Sequence, residues 1–252
     1  MPRHQIATVA ELRASIAGVC APARRLPPLP FGIDPIDRRL AGGGLDAGGL
    51  HEVAPSAPQL VDDAAATLFV AGLAARFVHA GGNAIWALTR FDLYAPGIEQ
   101  VGLGPDRVFF VEAREDAQVL AAMEDALRDG SVAAVVGEVK RADMTATRRL
   151  QLAAAESCTP ALLLRRWPRA GRCPLIETSA ATTRWRIGCA PSSRIGMAGI
   201  GRSCWNVELV RQRNGDPFSL ILEGCDGEGR LALPAAIADR TAAQAGAAAR
   251  AV

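Results

Sequence analysis

The sequence predicts an α/β protein with a largely parallel central sheet flanked by helices and an antiparallel extension at its C-terminal end. Short, wholly apolar segments recur between stretches of helical periodicity, the pattern of parallel strands covered on both faces. Beyond Arg166 that alternation stops, and strand-like segments follow one another directly, two of them joined by the turn signal Asn214-Gly215-Asp216. Half of the 252 residues are hydrophobic, enough for one large core. The division we read is an N-terminal helix and proline-rich linker over 1–30, a core over 31–225, and an alanine-rich tail over 226–252 that is loosely held.

In chain order, Ile6, Val9, Leu12 and Ile16 have the spacing of a short amphipathic helix over 5–18, followed by the proline-rich stretch 22–30. A short helix over 32–40 is predicted with Asp34 as N-cap and Pro35 at the first helical position, where a missing N–H costs nothing. A strand at 50–53 leads through a loop to a long helix over 62–80, apolar at Ala65, Leu68, Phe69, Gly72, Leu73 and Phe77 and ended by Gly81-Gly82. Strands follow at 84–88, 107–111, 132–136 and 161–164. Between them lie a turn or helix end at 96–101 and helices at 117–127 and 145–156. The extension comprises strands at 183–188, 204–212 and 218–223.

Composition excludes several classes of function. The 28 basic and 26 acidic residues leave a net charge of +2, too balanced for the whole surface to grip a polyanion, although a local basic patch remains open. Cys20, Cys158, Cys173, Cys189, Cys204 and Cys225 are scattered singly and the histidines are not clustered, so no metal centre or redox motif is predicted. Glu11 and Arg13 interrupt what would be the apolar core of a signal peptide, and no stretch approaches the ~18 apolar residues of a membrane span. The expectation is a cytoplasmic protein with reduced thiols and no membrane contact.

The stretch from Phe31 to Asp62 has the layout that leads into a phosphate-binding loop: helix, glycine run, turn, strand, loop, helix. A working loop needs glycines whose N–H groups wrap phosphates, a lysine for the terminal ones, and a Ser/Thr hydroxyl for Mg²⁺. Residues 54–62 read APSAPQLVD and supply none of these. Asp62 and Asp63 also place carboxylates where the helix dipole would hold an anion. His51 is read as an edge or core residue because no nucleophile accompanies it, His79 is equally isolated, and Ser56 lacks the frame of a nucleophile elbow. The glycines at 42–44 and 48–49 are read as turn residues.

The run GIDPIDRRLAGGGLDAGGLHEVAP resembles the approach to the P-loop in RecA-type recombinases. GGNAIWALTRFDLYAPGIEQVGLGPDRVFFVEA resembles the strand and helix that follow, VAAVVGEVKRA the Walker B strand, and TTRWRI with CWNVELVRQRNGDPFSLILE the antiparallel strands that close a RecA-like core. The likeness spans residues 29 to 225 in element order. Within RecA-like proteins the chain is most similar to the ImuA family, the SulA/RecA-like proteins of bacterial damage-inducible mutagenesis operons.

Carried onto these residues, the resemblance implies a frame that has lost its chemistry. The P-loop lysine falls at Leu60 or Val61, and the Mg²⁺-binding hydroxyl at Val61 or Asp62. Ala54 and Pro55 open a loop without a glycine cradle. The water-activating glutamate falls at Phe91, beside Asp92, and the Walker B aspartate at Gly137, beside Glu138. Asp92 and Glu138 would serve only if the register were shifted by one. No ATPase activity, cofactor or metal is therefore expected, since phosphoryl transfer depends on these groups.

The resemblance further implies an SOS-response accessory protein of error-prone translesion synthesis. Its partners would be an ImuB-like Y-family polymerase homologue, an error-prone C-family polymerase complex and RecA itself. The basic residues Lys140, Arg141, Arg165, Arg166, Arg169 and Arg172, with Trp167 among them, follow strand ends where ligand loops sit. They are the candidate surface for single-stranded DNA or a partner, against a plain solvated loop with Trp167 tucked into the core. The alternatives are a single-stranded DNA-binding factor, a residual ATPase with an unorthodox site and, from the SulA part of the family description, a division inhibitor.

Overall fold

A computed structural model describes residues 26–167, 171–192, 199 and 201–234. The expected helix at 5–18, Arg169 and the tail beyond 234 lie outside them.

Eight strands form one mixed sheet: β1 (Leu50–Pro55), β2 (Ala84–Leu88), β3 (Val108–Glu112), β4 (Ala134–Val139), β5 (Ala161–Arg165), β6 (Thr183–Ala190), β7 (Cys204–Gln212) and β8 (Phe218–Glu223). The order is β3-β2-β4-β5-β1-β6-β7-β8. Strands β1 to β6 pair parallel, and β7 and β8 add antiparallel; the sheet type is as expected, but β6, read as part of the antiparallel extension, pairs parallel with β1 and antiparallel only with β7. The helices are α1 (Asp34–Asp37), α2 (Leu60–His79), α3 (Ala95–Gln100), α4 (Asp116–Asp129) and α5 (Met144–Ser157).

The sheet separates two apolar layers. Phe69 of α2 packs on Trp86, Val136, Leu164 and Trp185 of the sheet in one layer, and Phe31, Phe69 and Trp185 form a ring cluster with centroids 5.6–6.5 Å apart. Under α4 and α5 lie Val119, Met123, Val135, Leu150 and Leu163. Each large side chain withdrawn from water here contributes about 1.5–3 kcal/mol. Helix ends are held by local chemistry: the Asp143 carboxylate accepts from Ala146 N at 2.7 Å to start α5, and Gly130, at φ 68°, ends α4.

The structure departs from the sequence reading at four places. First, α1 is four residues long and Asp34 is not its cap. Asp37 reaches back instead, its carboxylate accepting from Phe31, Gly32 and Ile33 N at 2.7–3.1 Å, while Asp34 pairs with Arg38.

Second, β4 runs over 134–139, two to three residues later than the apolar run suggests, so Gly137 and Glu138 lie within the strand. Third, β3 is not covered on both faces, because an outermost strand has a neighbour on one side alone; Phe109, Phe110 and Val111 are exposed. Fourth, residues 226–234, read as tail, fold back onto α2. A Cβ on Gly229 would collide with Gly72 O and one on Gly72 with Cys225 Sγ, Leu231 is buried, and Ala232 pairs with Glu223.

Candidate functional site

The carboxyl ends of β1, β2, β4 and β5 and the start of α2 converge, and the degenerate loop lies among them. The loop is short because β1 continues through Pro55, where it still pairs with Ile187 of β6. Ser56 N–H then donates to Ile187 O at 2.8 Å, and the Asp62 carboxylate accepts from Cys189 N at 2.7 Å. The loop is thus sewn to β6. Gly188 packs close beside it, since a Cβ there would lie 2.6 Å from Ser56 Oγ and force that side chain to move. Leu60 and Val61, at the expected lysine positions, open α2 and point to solvent, Leu60 being 84 % exposed.

Strand alternation assigns the neighbouring acidic position. Gly137 lies opposite Ala87 and Leu163 on the buried α4 side, where an aspartate would have to displace the Met123 side chain. Glu138 lies opposite Leu164 and faces α2. The carboxylate on the α2 side of this strand is therefore Glu138, one residue from the position inferred by resemblance.

Glu138 is committed to neighbours. Its Oε1 accepts from Trp86 Nε1 at 2.7 Å, and its Oε2 pairs with Arg166 at 2.6 Å. Arg166 also reaches Asp63 at 2.8 Å and donates to Thr67 Oγ1 at 2.9 Å. A guanidinium from the end of β5 thus bridges the first turns of α2 to β4. Burial pushes the Glu138 carboxyl above the usual carboxylate range, and the attraction and hydrogen bond of Arg166 oppose that rise. Burial disfavours the Arg166 charge too, but Glu138 and Asp63 more than compensate and hold it protonated.

This bridge forms one wall of an open cleft of about 690 Å³. Among its lining residues are four cations, Arg90, Lys140, Arg141 and Arg166, and four carboxylates, Asp63, Asp92, Asp116 and Glu138. Lys140 and Arg141 are exposed at its mouth, their backbone N–H groups anchored on Asp116 Oδ2 at 3.1 and 3.0 Å. Trp167 is half-buried and donates from Nε1 to Gly171 O at 3.0 Å. Asp92 is held by Arg90, and Phe91 stands edge-on to Phe110 with centroids 4.9 Å apart. The cleft therefore gathers Lys140, Arg141, Arg166 and Trp167. Arg172 is exposed, outside the lining, and Arg169 is not described.

Arg165 does not belong to any surface. It is fully buried, pairing with Glu52 at 2.9 Å and with Glu177 at 2.6 Å, because β5 sends it to the face opposite Leu164. Arg184 of β6 takes the other oxygen of Glu52 at 2.6 Å. This second network was missed in the sequence. Its signals were a glutamate inside the apolar β1 and arginines alternating with apolar residues in β6.

His51, beside Glu52, is also fully buried. Its Nε2–H donates to Asp46 O at 2.9 Å, and its Nδ1 accepts from Thr183 Oγ1, which in turn accepts from Trp185 Nε1, both at 2.7 Å. Burial pushes its pKa down and keeps the ring neutral. No group of three or more histidine, cysteine or acidic residues able to hold a metal occurs among the described residues, and no described helix is long and apolar enough to cross a membrane.

A scan against protein-family models returns no match. Among curated proteins, the chain is 39 % identical over 231 residues to Protein ImuA of Caulobacter vibrioides strain NA1000 / CB15N, covering 87 % of this chain and 95 % of that protein. The ImuA protein of Caulobacter vibrioides strain ATCC 19089 / CIP 103742 / CB 15 matches with the same identity and coverage. At that identity, sustained over nearly the full length of both proteins, this chain belongs to the ImuA family.

Proposed function

We propose that the chain is a non-catalytic accessory protein of damage-induced, error-prone translesion DNA synthesis, binding an ImuB-like polymerase homologue as an adaptor. Membership of the ImuA family supports the pathway. The observation that carries the non-catalytic part is the Arg166 bridge. A side-chain cation occupies the space between the start of α2 and Glu138, where a nucleotide-binding relative would place metal and phosphate. A bound nucleotide would have to break two ion pairs at a loop that offers neither lysine nor glycine cradle.

The test is equilibrium binding of a labelled ATP analogue to the purified chain. No binding at millimolar nucleotide is the expected result, and saturable Mg²⁺-dependent binding overturns the non-catalytic reading. The adaptor reading is tested separately by co-purification from DNA-damaged cells. An ImuB-like protein and an error-prone C-family polymerase, with or without RecA, are the expected companions in a cytoplasmic complex; recovery of the chain alone counts against it. The balance of four cations and four carboxylates in the cleft weighs against single-stranded DNA as the main ligand. A salt titration of single-strand binding should show weak affinity that changes little on Lys140→Ala with Arg141→Ala.

A further inference from the structure

The outer edge of β3 carries no paired strand among the described residues. Edge strands are usually blunted by lysine, proline, a bulge or a covering segment, because free backbone groups invite another strand. The opposite edge is covered at its end, where Ala232 bridges Glu223 of β8 through two backbone bonds. The sequence of β3 is VFFVE, with no lysine or proline, and its pairing to β2 has no register shift. Phe109 is 59 % exposed, and Phe110 and Val111 are exposed beside it. Phe109 and Val111 share the α4 face, while Phe110 is on the other, against Trp86 and Phe91.

We propose that this edge is a two-fold interface: β3 of one copy of the chain pairs antiparallel with β3 of a second copy, centred on Phe110, joining the two sheets into one. The commitment to a second copy rests on self-complementarity. A two-fold axis normal to the sheet keeps each face continuous, so opposed residues share a face and the axis passes through one residue.

Three centres are available. Centring on Phe109 opposes Asp106 and Glu112, two like charges. Centring on Val111 sets Glu112 against the Phe110 ring and Phe109 against Ala113, so the exposed apolar residues do not meet one another, although Arg107 then opposes Glu115. Centring on Phe110 pairs the three exposed apolar residues among themselves, Phe110 with its own copy and Phe109 with Val111, and sets Glu112 against Val108; beyond the strand ends it brings Asp106, in the turn before β3, towards Arg114 of the second copy, in the bend after it. Both are exposed, and the present partner of Asp106 is an exposed Arg107 at 3.4 Å. Apolar cross-strand pairs and opposite charges both favour such a ladder.

The test uses sedimentation of the full chain at micromolar concentration. A dimer is expected, and a monomer throughout the accessible range overturns the proposal. Asp106→Arg alone and Arg114→Asp alone should each weaken the dimer about tenfold, since every dimer contains the pair twice, while both changes together should restore it. These exposed positions leave the core untouched, so a dimer indifferent to both single reversals, or not restored by the double one, overturns the register. Phe110→Cys should form an intermolecular disulfide above the wild-type background, and Phe109→Cys much less, because opposed residues are close enough for a disulfide only at the axis. A co-purified protein of another kind occupying the edge, with the chain remaining monomeric, also overturns it.

Discussion

Arg165 and Arg166 are adjacent in the chain, yet β5 sends them to opposite sides of the sheet. Arg165 is sealed in a network with Glu52, Glu177 and Arg184 on the α5 side. Arg166 reaches the cleft on the α2 side and bridges Asp63 to Glu138. In the sequence they read as one basic patch. In the structure one holds the sheet together and the other bridges α2 to β4 at the cleft wall, and both are engaged by carboxylates.

The largest effect should come from breaking the sealed network. Glu52→Gln leaves Arg184 buried without a carboxylate and Arg165 with Glu177 alone, and should cost about 3–5 kcal/mol, read as a lower urea midpoint at unchanged slope. If the loss were no larger than for Arg166→Ala, the distinction between the two arginines would fail. Arg166→Ala removes charge-assisted bonds at the cleft wall and should cost about 1.5–3 kcal/mol.

The two sites should also differ in their response to pH. The raised pKa of Glu138 means that the folded state holds a proton more readily than the unfolded chain. Its contribution is therefore most favourable below the ordinary glutamate value and declines as pH rises through the folded pKa. Arg166→Ala should steepen that decline, because an uncompensated Glu138 carboxylate is left in place, and Glu138→Gln should abolish it. Urea midpoints from mildly acidic to neutral pH measure both.

On β1 the same alternation separates His51 from Glu52, and the sign is opposite. His51 has a lowered pKa, so only the unfolded chain takes up its proton below the ordinary value of 6.5. Stability is complete above that pH and falls as pH drops towards the folded pKa, a slope that His51→Gln should remove. The smallest effect belongs to Arg172→Ala. Exposed and outside both networks, it should change stability by no more than about 0.5 kcal/mol.

The architecture was legible because it rests on periodicity. Apolar strands alternating with amphipathic helices specify a parallel sheet, and the change after Arg166 marks where helices stop separating the strands, although the first of those strands, β6, still pairs parallel with β1. The residue types of a phosphate loop are absent from 54–62, and that too is read directly from the sequence. The cleft was only partly legible. Lys140, Arg141 and Trp167 were found from their place after strand ends, but which face β4 and β5 would present was not, since a shift of one residue exchanges the two faces. That shift separates Gly137 from Glu138.

What the chain order specifies on its own is therefore the sequence of elements and the broad sheet type. Which charges meet was decided by tertiary structure. Glu52 finds Arg165 across 113 positions and Arg184 across 132, and local propensity carries no information about such distant pairs. The unpaired edge of β3 has the same origin. A run of apolar residues signals a strand, but only the assembled sheet determines whether that strand is enclosed or lies at the margin.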